Sequence, residues 1–456
     1  MSLNEALKFA HTHRSRFVDQ LGDLVKIPSV STDPDCRTDV SVAAGWVAGY
    51  LERIGVKNVE LYPPETHPIV YGELLDAGPE APTVLIYGHY DVQPAEPLDK
   101  WVSDPFSPTV RGENLYGRGA SDMKGNVMAS LYAVEAALSA GPLPVNVKFM
   151  IEGQEEIGSP QLADFMRTHK DMLAADFCLN PDTGMLAPDI PTITYSLRGL
   201  AYFELRIYGP ENDLHSGVFG GAVHNPAQVL SELIAGMHNA KGRVTLPGFY
   251  DDVRPLSKEE RRELARLPFT DEQIVKNAGV PRLWGERDFT PIERLGARPT
   301  LEVNGLLSGF TGKGAKTVLP AYAMAKISCR LVPDQDSAAI ERMFKAYLEA
   351  NAPDTVRWEL DAMTHSPASL SDRESPWIRA MMTAQEAAWG VRPLFKREGG
   401  SVPMVSDVKK ILGIESVNVG CGLPDDNFHG PNEKLHLPTF HTFVDALIHL
   451  LYELKK

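Results

Sequence analysis

The stretch TVLIYGHYD, residues 83–91, decides the fold of this chain. It begins after Pro82, and its apolar and β-branched residues predict a short, buried strand. Apolar residues at helical spacing then predict a helix from about residue 123 to Gly141, and VNVKFMIEG, residues 145–153, predicts the next strand. Strand, helix and strand in this order indicate a βαβ unit, and therefore a mostly parallel sheet with helices packed on both of its faces.

A different texture begins near residue 191 and indicates a second, smaller domain. The segment LRGLAYFELRIYG alternates as a half-exposed strand does, and a helix, a strand, a helix and a strand are predicted after it. This order indicates an inserted α+β domain of the ferredoxin-like type. The predicted elements cover residues 197–209, 225–237, 325–333 and 337–350 and the segment TVRWELDAM.

The α/β texture returns from Ser375, so we expect one catalytic domain that is interrupted by one insertion. The expected catalytic domain comprises residues 1–190 and 375–456, and the inserted domain comprises residues 191–374. Residues 241–311 within the insertion are charged and rich in arginine and proline. This composition predicts exposed helices and loops there.

Composition excludes several classes of function. The 456 residues carry a formal net charge of −15, which disfavours binding to nucleic acid or to an anionic membrane surface. Four widely spaced cysteines form no CxxC motif, so a disulfide framework and a thiolate metal site are not expected. With no signal peptide and no long apolar run visible, we expect a cytoplasmic protein.

Side chains that can bind metal ions follow the predicted strands or lie in nearby loops. Ligands of an open α/β sheet bind beyond the carboxyl ends of its strands, so these side chains fall where a site is expected. Each of them alone also has an ordinary structural role, in a polar cluster, a helix N-cap, a surface charge or a turn. Imidazole and carboxylate together favour Zn²⁺ or Mn²⁺. The candidates are His89, Asp91, Asp122, Glu155, Glu156, Asp182 and His429.

Two of these pairs have spacings with a chemical meaning. His89 and Asp91 share a face of a strand, so we expect the Asp91 carboxylate to accept a hydrogen bond from one ring nitrogen of His89, which leaves the other for a metal. The side chains of the adjacent Glu155 and Glu156 point in different directions. One can therefore bind a metal while the other acts as a general base.

Six motifs together resemble the M20 family of dinuclear metallopeptidases. They are GHYDVQP, LYGRGASDMKGNVMA, EGQEEIGS, NDLHSG, REGGS and NFHGPNE. Within the family, the chain looks most like the carnosinase and cytosolic non-specific dipeptidase branch, because Asp182 stands where other branches usually have a glutamate. The resemblance implies a zinc-peptidase-like catalytic domain and an inserted lid and dimerisation domain.

The resemblance also implies a role for each candidate near the metals. Asp122 would bridge two divalent ions, Zn²⁺ or Mn²⁺, and its peptide bond to Met123 would be cis. Asp91 would orient one of the ligands, and Glu155 would be the general base. The ligands of the two sites, besides Asp122, would be His89 with Asp182 and Glu156 with His429.

The substrate contacts that the resemblance implies lie mostly in the insertion. His215 would be contributed to the active site of the partner subunit in a homodimer, where it would help to bind the substrate carbonyl. The carboxylate of a small peptide substrate would be held by Thr317, Arg330, Gly400 and Ser401.

The resulting prediction is a homodimeric, cytoplasmic metallo-dipeptidase. An N-acyl-amino-acid amidohydrolase or a carboxypeptidase-like enzyme on the same site stays open as an alternative, and a catalytically silent dimeric binding protein is a more remote one. The two hydrolase classes differ at the amine end of the substrate, because only the dipeptidase requires a free amino terminus.

Overall fold

The computed structural model describes residues 2–63, 67–400 and 402–455. The helices in this part of the chain are α1 (Leu3–Thr12), α2 (Arg14–Val25), α3 (Arg37–Arg53), α4 (Lys124–Ser139), α5 (Leu162–Thr168), α6 (Ser216–Phe219), α7 (Pro226–Gly236), α8 (Lys258–Leu264), α9 (Asp271–Ala278), α10 (Pro291–Ala297), α11 (Ser337–Asn351), α12 (Pro376–Trp389), α13 (Pro403–Asp407) and α14 (Leu437–Glu453). Short 3₁₀ turns cover Pro34–Cys36, Leu98–Lys100 and Glu155–Ile157, and a π-helical turn covers Val408–Leu412.

The strands in the same residues are β1 (Lys57–Tyr62), β2 (Ile69–Leu74), β3 (Thr83–His89), β4 (Thr109–Arg111), β5 (Asn114–Tyr116), β6 (Asn146–Glu152), β7 (Phe177–Asn180), β8 (Thr192–Leu197), β9 (Gly199–Tyr208), β10 (Leu214–His215), β11 (Thr300–Ser308), β12 (Val318–Leu319), β13 (Tyr322–Leu331), β14 (Arg357–Ser366), β15 (Ser369–Leu370), β16 (Leu394–Glu398), β17 (Glu415–Asn418) and β18 (Lys434–His436).

The chain divides into two compact units. Unit 1 comprises Met1–Tyr195, Ser371–Lys396 and Pro403–Lys456. Unit 2 comprises Ser196–Leu370 and the short segment Arg397–Val402. Residues 371–396 separate this short segment from the rest of unit 2 in the sequence. Hydrogen bonds with Arg198 and Glu260 connect it to unit 2.

Unit 1 is built on a large sheet whose centre is parallel. The strand order begins β1, β2, β6, β3, β7 and β17 and continues to β8. The four central strands β6, β3, β7 and β17 pair in parallel, and β1 and β2 are added antiparallel at one edge. The carboxyl ends of the four parallel strands therefore lie together at one edge of the sheet, where ligands of α/β folds bind.

Helices cover both faces of this sheet. On one face Val84 and Ile86 of β3 belong to a core that α4 and α14 complete. On the other face, Lys148 of β6 donates to the carbonyl oxygens of Met172 and Ala174, just after α5. Gly88 allows β3 and α4 to approach closely, since a Cβ atom there would lie 2.6 Å from Cγ2 of Val127. The predicted parallel-sheet architecture is confirmed.

Unit 2 is a four-stranded antiparallel sheet with two helices on one face. The order β11, β13, β9, β14 and the chain order β9, α7, β11, β13, α11, β14 define a ferredoxin-like fold, as predicted. Inward side chains of β9 and β13, such as Phe203 and Ile327, pack with residues of α7 and α11 in a separate core. The alternate residues of these strands point to the opposite face.

The prediction of only helices and loops over residues 241–311 is wrong at its carboxyl end. Residues 300–308 form β11, an edge strand of the unit 2 sheet. Leu301 is its one fully buried residue, and a bulge between Val303 and Gly305 breaks the alternation that marks a strand in a sequence. The expected helices are present as α8, α9 and α10. Among the described helices, none combines the length and the apolar composition that a bilayer-spanning helix needs.

Candidate metal centre

Asp122 lies at the centre of two groups of potential metal ligands in unit 1. The first group is His89, Asp122 and Asp182, and the second is Asp122, Glu156 and His429. Within each group, the ligand atoms all lie within 4.8 Å of one another. The structure thus brings together the five residues that the sequence analysis singled out as ligands, and it places Asp122 in both groups.

The first group forms where β3 and β7 end. His89 is the last residue of β3 and is buried, with Nε2 3.5 Å from Oδ1 of Asp122 and 3.8 Å from Oδ1 of Asp182. Asp182 follows β7 by two residues, and its backbone amide donates to the Asn180 side chain over 3.2 Å. Both side chains therefore stand at the carboxyl edge of the parallel sheet.

The second group forms around a loop with left-handed backbone. Nε2 of His429 lies 3.1 Å from Oδ2 of Asp122 and 3.4 Å from Oε2 of Glu156. His429 has a φ of 57°, and Asn427 and Asn432 on either side are also left-handed. Asparagine tolerates this conformation better than most residues, which explains the turn-rich sequence NFHGPNE. The tight loop turns the imidazole toward the two carboxylates.

A buried carboxylate that the sequence analysis did not assign holds the loop of Asp122. Glu433 accepts hydrogen bonds from the backbone amides of Gly119, Ser121 and Asp122 over 2.9–3.0 Å. It also forms an ion pair with Arg118 over 2.7 Å, and both side chains are almost fully buried. The signal was available in the motif NFHGPNE, whose last residue is Glu433. The peptide bond between Asp122 and Met123 is cis, as the resemblance implies.

Asp91 contacts both His89 and the turn of the two glutamates. Nδ1 of His89 is 3.0 Å from the backbone carbonyl oxygen of Asp91 and 3.4 Å from the carboxylate oxygen Oδ1. The two carboxylate oxygens also accept hydrogen bonds from the backbone amides of Glu155 and Glu156, over 3.3 and 3.1 Å. Asp91 therefore links the histidine at the end of β3 to the turn that carries the adjacent glutamates.

The two adjacent glutamates have different surroundings. Glu156 belongs to the second ligand group, and Gln93 donates to its Oε2 over 2.8 Å. Glu155 belongs to neither group of the described residues, although it directly precedes Glu156 on the same turn. Burial raises the pKa of Glu155 well above its ordinary value, and the negative charges of Asp182 and Glu156 add to that effect.

Glu152, at the end of β6, is a further buried carboxylate beside these groups. It accepts hydrogen bonds from the hydroxyl groups of Tyr87 and Ser159, each over 2.8 Å. Burial and the nearby Asp91 raise the pKa of Glu152 to about 7. Because Ser159 follows the turn of Glu155 and Glu156, Glu152 fixes the far end of that turn.

The electrostatics of this edge of the sheet suit cations. Burial and the neighbouring Asp122 raise the pKa of Glu156 to about 7. Burial also raises the pKa of Asp122, but hydrogen bonds from His429 and His89 outweigh it and hold that pKa below its ordinary value. Three carboxylates and two imidazoles form the kind of donor set that binds hard to borderline divalent ions. The residues therefore fit a divalent metal centre.

The predicted substrate-binding residues lie in unit 2, in two separate strands and one loop. His215 ends β10, is exposed, and accepts a hydrogen bond at Nδ1 from the amide of Gly217 over 3.0 Å. Thr317 lies nearby, directly before β12, where its carbonyl oxygen accepts the amide of Ser216 over 3.0 Å. Arg330 is half-buried on β13, and Gly400 is exposed. Ser401 lies outside the described residues.

The candidate metal ligands lie at one edge of a parallel sheet, and a ferredoxin-like domain interrupts the chain of that unit. This combination is the architecture of a metallohydrolase. Comparison with known proteins identifies the particular family, since the sequence profile of Peptidase family M20/M25/M40 matches residues 85–453. The chain belongs to this family and is a hydrolase, as predicted.

Named relatives resemble the chain along almost its whole length. It is 33% identical to the Cys-Gly metallodipeptidase of Schizosaccharomyces pombe, over 100% of this chain and 98% of that protein. It is 31% identical to the Beta-Ala-His dipeptidase of Homo sapiens, over 95% and 89%. The solved structure of an M20 family metallo-carboxypeptidase from Sulfolobus solfataricus matches with a TM-score of 0.85 and 33% identity, over 96% of this chain and 99% of that one. The predicted branch of the family is confirmed by the first two relatives.

Proposed function

We propose that this chain hydrolyses dipeptides with two divalent metal ions, Zn²⁺ or Mn²⁺, and with Glu155 as the general base. The observation that carries the proposal is the arrangement around Asp122. This carboxylate belongs to both ligand groups, whereas the neighbouring Glu155 belongs to neither among the described residues. A shared ligand and a free carboxylate beside it are what two-metal hydrolysis requires.

In this proposal His89 and Asp182 hold one ion, Glu156 and His429 hold the other, and Asp122 holds both. Two ions bound there would polarise the scissile carbonyl and lower the pKa of a water molecule. Asp91 keeps His89 and the turn of the two glutamates in register, through the hydrogen bonds described above.

Glu155 takes the proton from the attacking water and passes it to the leaving amine. Its raised pKa supports this role, because a carboxylate with a pKa nearer neutrality accepts a proton more readily. The ring of His215 donates to the oxygen that becomes negative as the carbonyl is attacked. Thr317, Arg330, Gly400 and Ser401 bind the free carboxylate of the substrate, where a planar guanidinium and a backbone amide suit a planar anion.

A homodimer that shares His215 with the partner subunit is part of the same proposal. Support comes from β11, an edge strand of the unit 2 sheet whose side chains are largely exposed. Leu306 and Leu307 on this strand are 65% and 46% exposed, and Phe310 just beyond it is 45% exposed. An exposed apolar edge of this kind is suited to pairing with another chain.

An N-acyl-amino-acid amidohydrolase or carboxypeptidase-like activity is the second candidate. It is favoured by the 33% identity to the metallo-carboxypeptidase of Sulfolobus solfataricus. The catalytically silent binding protein is disfavoured, because Glu155 and the five ligand residues are all in place. We further propose a cytoplasmic location, which agrees with four cysteines that are all free thiols.

A substrate panel tests the proposed function. The protein is stripped with a chelator, refilled with Zn²⁺ or Mn²⁺ singly, and assayed on free dipeptides and on the same dipeptides with an acylated amino terminus. We expect activity to return only with metal and to be higher on the free dipeptides. Faster cleavage of the acylated substrates would replace the dipeptidase with the second candidate.

A further inference from the structure

A cavity of about 370 Å³ lies within unit 2 beside Arg330. Its walls come from strands of the unit 2 sheet and from the segment around α10. Arg330, Ser328 and Glu302 belong to β13 and β11 and point away from the core, while Trp284 and Leu295 come from the segment around α10. The segment around α10 therefore covers one end of the open face of the sheet, and a pocket forms between them.

Arg198, which links β8 and β9, lines the same cavity and holds the loop of Gly399 and Gly400. Its Nε donates to the carbonyl oxygen of Gly399 over 3.2 Å, and its backbone amide donates to the carbonyl oxygen of Gly400 over 3.2 Å. The packing is close, since a Cβ atom on Gly399 would lie 2.7 Å from Nη2 of Arg198 and 2.9 Å from the carbonyl oxygen of Leu295. A side chain at this position would push the guanidinium away.

Helices α8 and α10 hold the start of the same loop. Arg397 donates through Nε to Glu260 of α8 over 2.9 Å, and both side chains are largely buried. Gly296 of α10 packs against Arg397, because a Cβ atom there would lie 2.6 Å from Cβ of Arg397. Arg198, α8 and α10 thus fix residues 397–400 from three directions.

The charges in the cavity are unbalanced toward the positive. Glu286 forms a bidentate pair with Arg298, and the carboxylate of Glu302 lies near Arg198. Burial and the charge of Arg330 lower the pKa of Arg198 to about 10, although Glu302 opposes this. An anion bound between Arg198 and Arg330 would relieve the mutual repulsion of their guanidinium groups.

We infer that Arg198 is a positioning residue for a substrate carboxylate in this cavity, acting with Arg330 and through the loop of Gly399 and Gly400. The ligand class is a free α-carboxylate on the carboxyl-terminal residue of a small peptide. The inference rests on the proposed function, and it assigns a task to Arg198 and to the inserted helices α8 and α10, which hold the loop that the carboxylate contacts.

The test compares a dipeptide with its carboxyl-terminal amide. Arg198→Ala, Arg198→Lys and Gly399→Ala are each made in full-length, metal-loaded protein that also carries Glu155→Gln, and binding of both ligands is titrated by calorimetry. We expect Arg198→Ala to raise the Kd of the acid about 10- to 100-fold, because the loop that contacts the carboxylate loses its support and a nearby positive charge is removed, and that of the amide by less than about threefold. Arg198→Lys should recover part of the loss, and Gly399→Ala should act in the same direction as Arg198→Ala.

Arg262→Ala in α8 is the matched control, because Arg262 is exposed and donates to Lys258 in its own helix. Its Kd for both ligands should equal that of the protein with Glu155→Gln alone. An equal loss for acid and amide in Arg198→Ala, or an unchanged ratio of the two, would overturn the inference, and so would failure of the acid to bind the parent protein. Because binding is measured without turnover, an inactive wild type would refute the proposed function and leave this test standing.

Discussion

The two units of the chain each gather buried charges, but of opposite sign and by different means. The metal-ligand edge of unit 1 is acidic, and most of its side chains arrive on loops that directly follow parallel strands. The cavity of unit 2 is rich in arginine, and its walls come from segments that are more than 80 residues apart in the sequence, such as Arg198 and Trp284. The ends of parallel strands thus bring His89, Glu156 and Asp182 to one edge of the sheet, whereas the antiparallel sheet of unit 2 has a pocket because the segment around α10 covers part of its open face.

The largest effect should come from Asp122, because it belongs to both ligand groups. We expect Asp122→Asn to lose both bound ions and with them all measurable hydrolysis, while Arg330→Ala in unit 2 keeps both ions. Metal content by plasma mass spectrometry, together with a dipeptide assay, checks this. Two ions retained after Asp122→Asn would mean that the acidic edge of unit 1 is not organised around this residue.

Glu155→Gln should keep both ions and lower kcat about 10³-fold, since a positioned general base contributes in that range. Glu80→Gln is the matched control, because Glu80 is an exposed glutamate of the same unit. Turnover numbers and metal content are measured for both variants. A fall of less than tenfold in Glu155→Gln would show that the proton is taken elsewhere.

The buried ion pair of each unit offers a direct comparison of stability. Glu433→Gln leaves Arg118 buried without its carboxylate and removes a charged acceptor from three amides, so we expect the free energy of unfolding to fall by about 3–5 kcal/mol. Glu286→Gln should cost about 1–3 kcal/mol, because Arg298 and Glu286 border a cavity. Urea unfolding of the two proteins measures both values, and equal costs would remove this difference between the units.

Glycine substitutions include the smallest expected effects. They compare positions where a new Cβ atom would meet other atoms with a position where it would meet none. A Cβ atom on Gly420 of unit 1 would lie 1.6 Å from the carbonyl oxygen of Thr183, next to Asp182, so Gly420→Ala should cost about 2–3 kcal/mol. A Cβ atom on Gly399 would meet Nη2 of Arg198 at 2.7 Å and the carbonyl oxygen of Leu295 at 2.9 Å, so Gly399→Ala should cost about 1–2 kcal/mol. Gly45→Ala, exposed in α3 with no atom nearby, should stabilise by about 0.5–1 kcal/mol. Thermal unfolding ranks the three variants, and a Gly420→Ala protein as stable as Gly45→Ala would contradict the packing described.

The sequence singled out residues of unit 1 that the structure brings together, and it could do so for a physical reason. His89 and Asp182 follow buried strands, and strand ends are recognisable from apolar runs. Asp91 was placed correctly beside His89, yet its carboxylate binds two amides that only the folded turn presents. Glu433 ends a motif that the sequence analysis quoted, but its role was missed because its partners lie more than 300 residues earlier in the chain.

In unit 2 the sequence could not reveal the pocket. Arg198 stands between two strands in LRGLAYFELRIYG and shows no pattern beyond that of its neighbours. β11 was missed because one buried residue and a bulge leave no alternation to detect. Contacts such as those of Arg198 with Gly399 depend on tertiary structure, and no local spacing encodes them.

The contacts of Glu433 also set a time at which the metal centre can form during synthesis. The loop that presents Asp122 leaves the ribosome early, but the carboxylate that fixes its amides and the imidazole of His429 emerge only after more than 300 further residues. A nascent chain therefore lacks the second ligand group until His429 has been made.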